Sequence, residues 1–249
     1  MRPPLTQSWH FYCIYNNMQS VSFFLKTTIM IRFSVYSGLF LFALGCLSCT
    51  HKNQQLNVVT PVVYPDFTVL KPGNYWVYQN YELDSVNGAA HPLGTFDSAF
   101  VEKDTLINGN NYHKYMDLEF SSNNYNVFFL RDSLSYTVNS LGIILFSSSD
   151  FTSIFRTYSY INPAAGVIDT EIITERMGFK DSMVTVDAGT FQSYTFRQIY
   201  TIPPPMPFGP TREYDHAYSQ GIGLIKETTG IYESIPNVYE RRLVRYHLQ

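Results

Sequence analysis

From Asn74 to the C-terminus, apolar and polar residues change places at every second position, the period of an extended strand with two distinct faces. Asn74–Asp84 sets Tyr75, Val77, Tyr81 and Leu83 on one face and Trp76, Tyr78, Asn80 and Glu82 on the other. Both faces are apolar at the start and more polar later, which predicts a strand that begins deep and finishes exposed. Phe96–Ile107 and Tyr112–Phe120 flank Asn108-Gly109-Asn110-Asn111, and Asn-Gly tolerates the positive φ of a tight turn, so the pair predicts a hairpin. In its second arm Met116, Leu118 and Phe120 alternate with Asp117 and Glu119, an arrangement that sends the first set to the core and the carboxylates to water.

Further strands are expected over Val127–Asp132, Leu134–Asn139, Gly142–Phe146, Phe155–Ile161, Ile168–Met177, Ser182–Val186, Phe191–Ile202, Thr211–Ser219, Leu224–Thr228 and Val238–Leu248. Alternation is clearest after the turn Asp187-Ala188-Gly189-Thr190, where Tyr194, Phe196, Tyr200 and Ile202 oppose Ser193, Thr195, Arg197 and Thr201. Pro203–Pro210 lacks donors for a sheet ladder and reads as an exposed connection; a helix fits only Ser149–Phe155. A flat sheet of some ten to twelve strands would leave long unpaired edges. The fold class is therefore all-β, a large antiparallel curved sheet, half-barrel or barrel-like, with a β-sandwich as the alternative.

The first 65 residues lack this rhythm. Lys26 and Arg32 precede an apolar run from Phe33 to Leu44, the length of a signal-peptide core and short of the roughly 20 residues of a spanning helix, with an uncleaved anchor as the alternative. Ala43-Leu44-Gly45-Cys46 resembles the lipobox of bacterial lipoproteins, and Cys46-Leu47-Ser48-Cys49 offers a second frame. The resemblance implies lipidation at Cys46, or alternatively Cys49, with two or more acyl chains (palmitate among them) holding the protein to a membrane. Residues 1–29 read as a mis-started or n-region extension, 30–48 as the signal, 49–65 as a polar and Pro-containing tether, and 66–249 as a single β-rich domain.

Charge narrows the function. All 20 acidic residues follow Cys49, against 14 of the 17 basic ones, which gives the mature part a net charge of −6 and excludes nucleic acid as a partner on electrostatic grounds. The basic cluster Arg241, Arg242 and Arg245 reads as the solvated face of a last strand. No cysteine follows Cys49, so the domain has neither disulfide, thiolate zinc nor cysteine nucleophile. His91, His113, His216 and His247 lack close ligand spacing, and neither metal nor cofactor is expected.

Four words of sequence, Leu70-Lys71-Pro72-Gly73-Asn74-Tyr75-Trp76-Val77-Tyr78, Asp104-Thr105-Leu106-Ile107-Asn108-Gly109, Val186-Asp187-Ala188-Gly189-Thr190-Phe191 and Tyr218-Ser219-Gln220-Gly221-Ile222-Gly223-Leu224-Ile225-Lys226, together resemble uncharacterised secreted lipoproteins of Bacteroidota-type bacteria. The resemblance implies a curved sheet like that of lipoprotein carriers and a place in the cell envelope, anchored by lipid at the outer membrane on either face. It implies no substrate. Gly221 and Gly223 bracket Ile222 as a bulge or close backbone approach would require.

No catalytic constellation is expected. Asp215 and His216 are adjacent on a strand and so face opposite ways, and the carboxylates Asp97, Glu102, Asp104, Asp117 and Glu119 read as exposed strand positions. No Gly-x-Ser-x-Gly elbow is present in the mature part. The 17 tyrosines and 13 phenylalanines from Tyr64 onward suit stacking on sugars or lining an apolar cavity, with Tyr194, Phe196 and Tyr200 as the candidate ligand-binding face. The expected partners are a membrane through the lipid, a hydrophobic or glycan ligand, or another envelope protein. A surface hydrolase acting on polysaccharide or peptidoglycan through paired carboxylates is the enzymatic alternative, and a structural accessory subunit the third.

Overall fold

The computed structural model describes residues 61–118, 120, 124–162, 169–201, 211–230 and 238–249. Cys46, Cys49, Glu119, Ile202 and Pro203–Pro210 lie outside the described residues. Among the described residues thirteen strands follow one another: β1 (Tyr75–Leu83), β2 (Ala90–Ile107), β3 (Asn110–Asp117), β4 (Asn126–Ser133), β5 (Tyr136–Asn139), β6 (Ile144–Ser147), β7 (Ile154–Asn162), β8 (Asp169–Met177), β9 (Ser182–Val186), β10 (Gly189–Thr201), β11 (Thr211–Ser219), β12 (Gly223–Gly230) and β13 (Val238–His247). Twelve of them lie in one antiparallel row, β6-β5-β4-β3-β2-β1-β13-β12-β11-β10-β8-β7, and β9 pairs with β10 beside it. The row curls until its two ends nearly meet, forming an incompletely closed barrel rather than a sandwich.

Local chemistry explains the joints. Asn108 and Gly109 both take positive φ, 49° and 79°, so the β2–β3 hairpin turns as an Asn-Gly pair favours. The segment Ser149–Phe155 forms no helix: the Asp150 carboxylate accepts from the Thr152 and Ser153 amides at 3.1 and 3.0 Å, and this Asx turn satisfies donors a helix would have used. The words around Trp76 and Gly223 meet in space. The Trp76 indole donates to the Ile222 carbonyl at 2.6 Å and the Tyr78 hydroxyl to the Leu224 carbonyl at 3.1 Å. A Cβ on Gly223, whose φ is +103°, would stand 2.9 Å from the indole nitrogen, so close approach of the backbone is what the glycine provides.

The two ends of the row are joined by side chains. Phe146 of β6, Met177 of β8 and Phe196 of β10 form one buried cluster with Phe67, which precedes β1. Phe67 stacks on Tyr194 at 4.4 Å and lies 5.2 Å from Phe146. Across the same seam the Ser147 amide donates to the Met177 sulfur at 3.3 Å. The segment Asp66–Leu70 is stitched to this end of the barrel: the Gly221 amide donates to the Asp66 carbonyl, and the Thr68 hydroxyl donates to Asp132 at 3.1 Å.

Sidedness departs from expectation on three strands. In β1 only Trp76, Tyr78 and Asn80 are deeply buried at the start, while Tyr75 is exposed, because one face of a barrel strand looks out. In β3 Asp117 is buried and Met116 is not. In β13 Arg241 is among the most buried side chains of the molecule, although Arg245 is exposed as expected.

Candidate functional site

A row of cross-strand neighbours runs around the inside of the barrel. Met177 pairs with Phe196, Phe196 with His216, His216 with Glu227, Glu227 with Arg241 and Arg241 with Asn80, so six strands put one side chain each on the same inner ring. Arg241 is its centre. Its guanidinium donates to both Asp117 carboxylate oxygens at 2.7 and 2.8 Å and to Glu227 at 2.5 Å, and stands 4.8 Å over the Tyr78 ring. Burial alone would lower the Arg241 pKa; the Asp117 and Glu227 charges more than offset this and hold it well above the ordinary arginine value. The other Glu227 oxygen lies 3.0 Å from His216 Nδ1.

One step along the barrel, Gln198 pairs with Glu175, and Glu175 with Arg156. Arg156 donates to the two Glu175 oxygens at 2.9 and 2.7 Å, Gln198 and Tyr158 donate to the same carboxylate at 3.0 and 3.3 Å, and the guanidinium lies 4.1 Å from the Tyr158 ring centre. Tyr200 follows on the same face of β10, 5.0 Å from Tyr214, with its phenol pKa raised first by burial and then by Tyr158 and Tyr214.

These groups surround a cavity of about 330 Å³ within the barrel. Trp76, Tyr115, Phe128, Phe146, Phe196 and Tyr218 supply aromatic wall, while Asp117, Glu175, Glu227, Arg156, Arg241 and His216 supply charge. Burial raises the Tyr115 phenol well above its usual value, so that wall stays neutral at any ordinary pH. Arg156, with a third of its side chain exposed, connects the interior to solvent.

Of the three aromatics expected to bind ligand, Phe196 lines the cavity. Tyr194 is drawn instead into the seam, against Phe67 and 5.2 Å from Phe151, and Tyr200 flanks the cavity one turn of alternation beyond Gln198. Asp215 and His216 face opposite ways: Asp215 is held by Arg197 at 2.6 and 2.7 Å on the outer face. Among the acidic candidates Asp97 and Asp117 are buried, contrary to the exposed reading, and Asp97 accepts from the Phe120 amide. Glu102 and Asp104 remain on the surface, paired with Lys114 and His113. Pattern reading assigned no role to Glu175, Glu227 or Arg156, and it placed Arg241 on a solvated face although the side chain is buried. The available signal was a charge at an apolar parity, as in Ile173-x-Glu175-x-Met177 and Tyr239-x-Arg241-x-Leu243.

Neither a protein-family model nor a curated protein matches the chain. Two solved structures are similar in chain trace. One, provisionally described as a lipoprotein from Parabacteroides distasonis, is 13% identical with a TM-score of 0.42, over 75% of this chain and 100% of that one. The other, provisionally described as an exported protein with a YmcC-like fold from Bacteroides fragilis, is 12% identical with a TM-score of 0.40, over 74% and 99%. Neither comparison transfers an activity to this chain.

Proposed function

We propose that the protein is a lipid-anchored component of the cell envelope that binds a compact ligand inside its barrel without transforming it. The observation that carries the reading is the cavity, lined by both aromatic rings and charged groups, in the size range of small-molecule sites. The signal-like segment ending at Cys46 or Cys49 supports the anchor. Outer-membrane attachment and the face of the membrane belong to the same proposal.

The neutral probe N-phenyl-1-naphthylamine tests it. The protein should enhance the probe's emission in a saturable way, and Leu145→Trp, which fills the cavity from its wall, should abolish the enhancement while leaving the unfolding midpoint near wild type. Equal enhancement by both proteins would refute interior binding. For the anchor, a Cys46→Ala, Cys49→Ala double variant should leave the membrane fraction; continued retention would refute it.

A hydrolase is the second reading, because Asp117 and Glu227 line one cavity. Both carboxylates are committed to Arg241, however, and a proton donor would first have to be released from it.

A further inference from the structure

We infer that the ligand of the barrel cavity is a compact organic cation, an ammonium group on an apolar body. This rests on the binding reading above and adds the sign of the head group. Among the described lining residues, three carboxylates (Asp117, Glu175 and Glu227) face two guanidiniums (Arg156 and Arg241). The cavity wall therefore carries one negative charge beyond its fixed positive charges, in a setting where water screens poorly.

Both guanidiniums are already paired with carboxylates. Arg241 is divided between Asp117 and Glu227, and Arg156 is closed by Glu175 on its edge and Tyr158 on its face. The aromatic walls, Trp76, Tyr115, Phe128, Phe146, Phe196 and Tyr218, are what a cation prefers over an anion, since ring faces are electron-rich. The volume corresponds to roughly eleven water molecules at about 30 Å³ each, enough for an arylalkylamine of similar heavy-atom count.

His216 stands in the same wall: Glu227 faces it from β12 at 3.0 Å and Phe196 from β10, with Arg241 and Asp117 beyond Glu227.

Titration calorimetry on the purified full chain with 2-phenylethylamine, 2-phenylethanol and phenylacetate separates the head groups on one apolar body. The amine should bind about tenfold or more tightly than the other two, a gap of about 1.4 kcal/mol. His216→Arg, a permanent cation beside Glu227, should cost the amine about tenfold and leave the alcohol unchanged. Should that variant misfold, His216→Gln, which adds no charge beside Glu227, is expected to keep the preference for the amine over the alcohol. Equal or tighter binding of the alcohol or the carboxylate overturns the cation and leaves the cavity reading intact. So does failure of all three in a protein that still takes up N-phenyl-1-naphthylamine. Failure of that probe as well overturns both.

Discussion

The barrel contains two arginine–carboxylate pairs of nearly identical geometry in opposite settings. Inside, Arg241 grips Asp117 through two bonds of 2.7 and 2.8 Å, with side chains 1% and 6% exposed. Outside, Arg197 grips Asp215 through two bonds of 2.6 and 2.7 Å, with side chains 12% and 30% exposed, and adds Glu213 and the Phe179 ring. Hydrogen-bond length does not distinguish them; solvent does. The outer pair can exchange its partner for water, whereas a member of the inner pair left alone has nothing to replace what it lost. The inner pair is therefore weak evidence of net stabilisation but a strong constraint on which residues can change singly.

Breaking each pair in turn should show this. Arg241→Ala strands two buried carboxylates and is expected to cost about 3–5 kcal/mol, read as a large fall in the urea midpoint or loss of the folded form. Adding Asp117→Asn and Glu227→Gln to that variant should recover part of the loss, because the unpaired charges are then gone; no recovery would mean that packing, not charge, was lost. Arg197→Ala should cost about 1 kcal/mol or less and lose even that in high salt, measured by the same unfolding curves.

The smallest effect lies in the Asx turn after β6. Asp150 is held down to about 2, first by the Ser153 side chain, then by the Ser153 and Thr152 amides. A folded value below the unfolded one of about 3.9 means that its contribution is present above that value and fades as pH falls toward 2. Carbon-13 titration of the carboxyl should place its midpoint near 2; a midpoint near 4 would show that the turn bonds do not survive in solution.

The same contrast explains what the sequence made legible. Strand positions came through because alternation and turn residues are local: β9 and β11 run over Ser182–Val186 and Thr211–Ser219 as expected, and Asn108-Gly109 turns where its chemistry permits positive φ. The facing of β3 and β13 did not, because pattern reading sends charge to water. Asp117 and Arg241 are inward only by virtue of each other, and they lie 124 residues apart. No local window contains both. The cavity was legible in part: Phe196 reaches it, but Tyr194 stands at the same parity and is diverted by Phe67, a residue outside any strand. Closure of the sheet on itself decides which rings face a void and which fill a joint, and alternation carries no information about that.

The position of Phe67 also fixes how the domain takes mechanical load. The chain enters the barrel through the exposed stretch 61–65, and the first buried side chain among the described residues is the ring that wedges the seam between β6 and β10. A pull along that stretch reaches this joint before it reaches the ladder of β1. Force then peels aromatic contacts one at a time instead of shearing a row of backbone hydrogen bonds together, so the barrel yields first along its seam.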